Sequence, residues 1–116
     1  MAQVYAQGDV VLEEVEDVAV SVTPPMGVDS DGAVVLARGE LSGHRHIFLD
    51  GGVTFFRDDA LSQGMPSELY IGHIKITAPT AELRHDEHDS ITIPAGCYRV
   101  RRQREWDAWR TRHVMD

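Results

Sequence analysis

The chain has a single cysteine, Cys97, in 116 residues. That excludes an intramolecular disulfide and a thiolate zinc cluster, and it fits a reducing, cytoplasmic setting. No charge-free stretch reaches the length a bilayer needs. The amino end, MAQVYAQGDVV, has neither a basic segment nor an apolar signal core, so neither membrane insertion nor export is expected. No long segment carries helical period, no unit repeats and no low-complexity linker divides the chain. Residues 1–116 therefore read as one domain.

Basic charge is scarce over most of the length. The net charge is -8, but residues 1–97 carry five Lys or Arg against sixteen Asp or Glu, and residues 98–116 carry six Arg against three acids. An acidic body argues against broad, sequence-independent binding of duplex DNA, because phosphate contacts need local positive potential. The basic carboxyl end leaves a narrower nucleic-acid contact open.

What the chain does have is alternation with a period of two. Val10–Val15 follows QGD, and Val18, Val20 and Val22 form a second stripe ending at TPPMG. SDG turns into 33–40, SG breaks the chain, and His44–Leu49 resumes it up to DGG. Val53–Arg57 then returns as the partner in a hairpin, and DDALSQGMPSE holds a short turn of helix. Leu69–Thr77 is the clearest inner strand, with Pro79 as its end. Ala81–His85 and Ile91–Ile93 are short, PAG is a turn, and a strand runs from Cys97 to about Trp106. Trp106, Trp109, Arg110 and His113 are spaced for one or two closing turns of helix. Eight or nine short strands predict an all-β domain, a compact β-sandwich or small barrel.

The chemistry concentrates in histidines. In a strand, residues two apart share a face, so His44 and His46 present two imidazoles on one side, with Arg45 and Ile47 on the other. Zinc takes imidazole nitrogens at about 2.0–2.1 Å, and this spacing makes a two-ligand half-site. RHDEHD offers the other half, since His85 and His88 flank Asp86 and Glu87 just past a strand end. The same imidazoles serve equally well without a metal, as general base and general acid on a phosphodiester, with an arginine on the developing charge. His73, within an apolar strand, reads as a packing residue, His113 as part of a solvated tail, and Cys97 as a small buried side chain.

CYRVRRQREW alternates Tyr98, Val100, Arg102, Arg104 and Trp106 against Cys97, Arg99, Arg101, Gln103 and Glu105. Tyr98 and Val100 should face the core, after which that face turns basic. Two uses are open for the arginines: gripping phosphate and stacking on bases beside the aromatics, or pairing with the chain's own carboxylates. Gln103, Arg104 and Glu105 could also reach toward the histidines and orient them or contact an oxyanion.

GELSGHRHIFLDGG and IPAGCYRV resemble the two motifs of cupins. That likeness would make Asp50 the nearest equivalent of the cupin carboxylate, puts Arg99 where cupins carry a histidine, and implies altered ligation through His85 or His88. A second resemblance covers nearly the whole chain. QGDVVL, GELSGHRHIF, LRHDEHDSITIPAGCYRVRRQREW and RHVMD are similar to a family of small uncharacterised bacterial and phage-associated proteins. The resemblance singles out Gln7, Gly8, Asp9, Gly43, His44, His46, His85, Glu87, His88, Pro94, Gly96, Tyr98, Gln103, Arg104 and Glu105, and implies that the four histidines and QRE share one site.

The expectation is a cytoplasmic protein binding a divalent metal (zinc, nickel, iron or manganese) through His44, His46, His85 and His88, with no organic cofactor. If it is a hydrolase, Glu87 is the candidate general base and Arg104 the anion contact. Arg102, Gln103, Glu105 and Tyr98 would then bind a phosphorylated small molecule or RNA. The alternatives are a metal-free histidine ribonuclease or phosphodiesterase, and a non-catalytic binding or phage accessory module. A homo-oligomer is compatible with all three.

Overall fold

Strand formation starts from the alternation in VVLEEV, where Val10 and Leu12 are fully buried and Val11 is buried on the opposite face. A computed structural model describes residues 3–16, 25–39, 43–62 and 64–102. It contains β1 (Val4–Gln7), β2 (Val10–Val15), β3 (Val34–Arg38), β4 (Arg45–Phe48), β5 (Val53–Phe56), β6 (Tyr70–Arg84) and β7 (Ile91–Arg102). A single 3-10 turn, Asp59–Leu61, is capped by the Asp58 carboxylate, which accepts from the Ala60 amide at 3.1 Å. The Val18–Val22 stripe and the closing turns of helix expected after Trp106 fall outside the described residues.

Every pairing is antiparallel, and the sheet runs β1-β2-β7-β6-β4-β3, with β5 also on β6. The end strands β1 and β3 do not pair with each other, so among the described residues the sheet is folded over as in a β-sandwich and does not close into a barrel. Leu12 opposes Val100 and Ile74 opposes Tyr98 across the ladder. These side chains pack with Phe48, Phe55, Leu83 and Ile93 in one apolar core, where burial supplies most of the stability at roughly 25 cal/mol per Å².

Three expectations give way here. Pro79 does not end a strand. β6 continues through it to Arg84, because the β6–β7 register breaks between Ile76 and Thr80, where the missing proline N–H costs no ladder bond. PAG is likewise no turn, and β7 is continuous from Ile91, with Gly96 at φ 150 opposite the break. Lastly, β4 and β5 do not form a hairpin with each other. β5 pairs with the first half of β6 (Val53 with Ile76), and β4 pairs with its second half (Ile47 with Arg84). The Asp50 carboxylate, in the connection between them, accepts from the Glu82 amide at 2.7 Å.

The break in β6–β7 bends a long hairpin back on itself. The consequence is visible in contacts: Arg102, at the end of β7, lines one cleft together with His85 and His88 from the hairpin's own tip. No helix among the described residues is long and apolar enough to cross a membrane.

Candidate histidine cleft

Residues from β1–β2, β3, β4 and the tip of the β6–β7 hairpin meet in a cleft of about 170 Å³, lined by Asp9, Ala37, Arg38, Gly39, His44, His46, His85, Glu87, His88 and Arg102. His46 is its inner wall. It is 5% exposed, and its Nδ1 lies 2.9 Å from Gln7 Oε1. The Gln7 amide nitrogen already donates to the carbonyls of Leu83 and Asp89, at 2.9 Å each. Gln7 Oε1 can therefore only accept, His46 Nδ1 carries the proton, and the bare Nε2 is the nitrogen near Asp9 Oδ1 at 4.0 Å. Burial first, and then the neighbouring His85, push the His46 imidazole down to about 4, so it is neutral at physiological pH.

The other rings gather around it. Ring centroids are 4.3 Å apart for His46 and His85, 4.6 Å for His85 and His88, 5.8 Å for His44 and His85, and 6.1 Å for His46 and His88. Burial and the proximity of His88 and His44 also lower the His85 imidazole. His85 Nδ1 accepts from the Glu87 amide at 3.0 Å, so in its neutral form Nε2 carries the proton. His44 precedes β4 rather than lying within it, and its Nδ1 contacts the Glu87 carboxylate. With the rings turned this way, no three His, Cys, Asp or Glu side chains among the described residues gather their donor atoms around one point.

The turn between β1 and β2 decides how closely the rings approach. Gly8 sits at φ 59, and a Cβ there would lie 2.7 Å from His88 Nε2 and 3.3 Å from His46 Cε1. The left-handed backbone costs about 1–2 kcal/mol for a residue with a Cβ, whereas the exposed His88 ring can swing away. Gly8→Ala is therefore expected to lower stability by about 1–2 kcal/mol while displacing His88. Chemical denaturation and metal content measured on the same sample would check it, and a variant with wild-type values in both would remove the packing role given to Gly8.

Of the arginines, Arg99 and Arg101 turn away from the cleft toward Glu13. Arg99 donates to Glu13 Oε1 from Nε and Nη2 at 3.1 and 2.8 Å. Arg101 Nε lies 3.1 Å from the same oxygen, but off the hydrogen-bond axis, which leaves its Nε and Nη1 buried without a hydrogen bond. Arg45 and Arg38 bind Asp29, and Arg45 also binds Asp31. Their hydrogen bonds hold both carboxyls below the usual range. Of the expected substrate-binding residues, Arg102 reaches the cleft and Tyr98 does not. Tyr98 is buried in the core and donates its hydroxyl to the Pro94 carbonyl at 2.7 Å, an ordinary use of β7's inward face. Gln103, Arg104 and Glu105 lie outside the described residues. Asp50 is not among the lining residues, because it is tied to the Glu82 amide. His73 is 1% exposed and hydrogen-bonded to the Tyr70 hydroxyl at 2.7 Å, as a packing histidine should be.

Strand periodicity gave no signal for Gln7 or Asp9 as part of this cleft; only the QGD of the family resemblance did. Nothing local marks Ala37, Arg38 or Gly39.

The two buried histidines also set a pH dependence. An unfolded chain protonates both near 6.5, but His46 in the fold resists until about 4, and burial lowers His73 in the same direction. Unfolded chains thus bind more protons in this window, and stability falls as pH falls from about 6.5 toward about 4, by about 3 kcal/mol for His46 alone. Asp29 and Asp31, held low, act only below that range. Urea melts of metal-free protein at several pH values would show the slope; a flat profile between pH of about 7 and 5 would refute buried neutral histidines.

Neither curated proteins nor solved structures match the chain, so the cupin likeness and the phage association gain no support from comparison. A family model does match, over residues 6–103, from the QGD turn through all of the described lining residues. The chain belongs to the family described as Domain of unknown function (DUF8820).

Proposed function

We propose that the chain is a cytoplasmic metal-binding protein whose cleft takes a divalent ion, zinc, nickel, iron or manganese, through His46, His85 and His88, with His44 beside them. One observation carries this: the His46 tautomer is fixed by a buried glutamine, which leaves Nε2 bare in a cleft lined also by His44, His85 and His88. Metal-ligating histidines characteristically donate their other ring nitrogen to such a partner. Ring spacing agrees. Imidazoles sharing a tetrahedral ion at about 2.0–2.1 Å would have centroids roughly 5 Å apart, and the observed 4.3–6.1 Å brackets that value.

His85 must turn its ring to join, giving up the exposed bond from the Glu87 amide. That costs about 0.5–1.5 kcal/mol, little beside the roughly 10–16 kcal/mol with which structural zinc binds its ligands. Bound metal would supply Lewis acidity, which suits a hydrolase acting on a phosphorylated or nucleic-acid substrate. Glu87 would then hold His44 or serve as the base for a water in the cleft. Elemental analysis of protein purified without a histidine tag is expected to find close to one divalent ion per chain, and metal-free samples after incubation with each candidate ion would overturn the reading.

A second reading is favoured by the His46 tautomer as it stands. His46 Nε2 is a bare proton acceptor 4.3 Å by ring centroid from His85, which would serve as the acid in its imidazolium form. Cleavage of RNA that persists in excess chelator would select it over the metal site. Metal binding without hydrolysis would leave a binding module.

A further inference from the structure

We propose that the cleft recognises a phosphoryl oxyanion and that Arg102 is the residue that grips it, an assignment that rests on the histidine cleft being a ligand site. Two guanidiniums line the cleft, Arg38 and Arg102. Arg38 is already committed, with Nη2 at 2.6 and 2.7 Å from the two oxygens of Asp29. Arg102 forms no hydrogen bond or ion pair through its side chain among the described residues. Its backbone is fixed, opposite Val10 in the ladder and with its amide donating to the Leu69 carbonyl at 3.0 Å. It is the next residue along the inward face after Tyr98 and Val100, at the point where the core ends and the cleft begins.

The carboxylates of the lining do not neutralise it. Glu87 is engaged with His44, and Asp9, whose nearest partner among the described residues is the neutral His46 at 4.0 Å, forms no ion pair with Arg102. A half-buried guanidinium with no ion-pair partner among the described residues has lost hydration that an anion entering the cleft would return. A tetrahedral oxyanion suits the place better than a carboxylate. With one oxygen toward the histidines, it would keep two for the planar fork of an arginine, whereas a carboxylate has only two oxygens in all. The cleft, at about 170 Å³, is smaller than the roughly 300 Å³ at which pockets enclose drug-sized ligands. It can take a phosphoryl head group and leave the remainder of a phosphate ester in solvent.

The test is calorimetric titration of inorganic phosphate into the full chain, zinc-loaded, with acetate as competitor and zinc content measured on every sample. Wild type should bind phosphate saturably and acetate more weakly. Arg102→Ala should weaken phosphate about tenfold or more, and Arg102→Lys should recover part of the loss. Circular dichroism melts confirm that both variants are folded; if Arg102→Ala is not, the Lys variant carries the comparison through its poorer, single-point contact. Phosphate binding indifferent to Arg102, absent from zinc-loaded wild type, or matched by acetate would each overturn the assignment. If no sample takes zinc and phosphate still depends on Arg102, the metal reading fails and the anion site stands.

Discussion

His46→Ala is expected to bring the metal content of the purified chain to background, a loss of more than about 100-fold in affinity. Among the four imidazoles, only His46 is buried and anchored to a buried partner. Its ring is buried among the lining residues, its Nδ1 proton goes to Gln7, and its neutral form is enforced down to about 4. The others lie on the connection between β6 and β7 or ahead of β4, where they can reorient. His44→Ala should therefore cost much less, since that ring is tied to Glu87. Removing His46 also leaves Gln7 Oε1 unpartnered in a buried place, which adds about 1–3 kcal/mol of instability. Elemental analysis and competition with a chromophoric chelator would give both numbers. If His46→Ala retained metal at wild-type stoichiometry while His44→Ala lost it, the inner-wall role of His46 would be wrong.

Gln7→Leu is expected to destabilise the chain by about 3–5 kcal/mol, a drop in melting temperature of about 10 °C or more, and to weaken metal binding by about 10–100-fold. Gln7 is 3% exposed, and one amide serves three partners. It donates to the Leu83 and Asp89 carbonyls, which bracket the segment bearing His85 and His88, and it accepts from His46. Leucine fills the volume and orphans all three groups. Gln7→Glu keeps an acceptor for His46 but sets a carboxylate against two carbonyl oxygens, so it should not rescue stability. Differential scanning calorimetry with and without zinc separates the two losses. A Gln7→Leu chain that melts within about 2 °C of wild type would show that the glutamine does not hold the hairpin tip.

Much of the site was readable because its parts are local. Period-two spacing put His44 and His46 on one side and Arg45 on the other, and Arg45 does turn away to Asp29 and Asp31. The charged connection RHDEHD leaves a strand end where expected and carries three of the lining side chains. The inward face of Tyr98, Val100 and Arg102 was also legible, though not which of them would line the cleft. Tyr98 sits deep enough to be enclosed by Tyr5 and the Pro94 carbonyl, and Arg102 lies one step beyond the core.

Strand partners were a different matter. Alternation tells a residue which face it takes and says nothing of which strand lies alongside, so the β4–β5 hairpin was a plausible pairing that β6 pre-empts by offering a separate half to each. Proline and PAG signalled ends, because their local cost is real. Inside the β6–β7 hairpin that cost falls at a register break where no ladder bond is needed. What the amino-acid order determined by itself was the all-β character, the paired histidines and the reserve of arginine at the end of β7. Only the tertiary structure decided that these meet, because a bend at Ile76–Thr80 returns the hairpin tip to Gln7 and Arg102, and long-range packing of this kind leaves no periodic trace in the residues it joins.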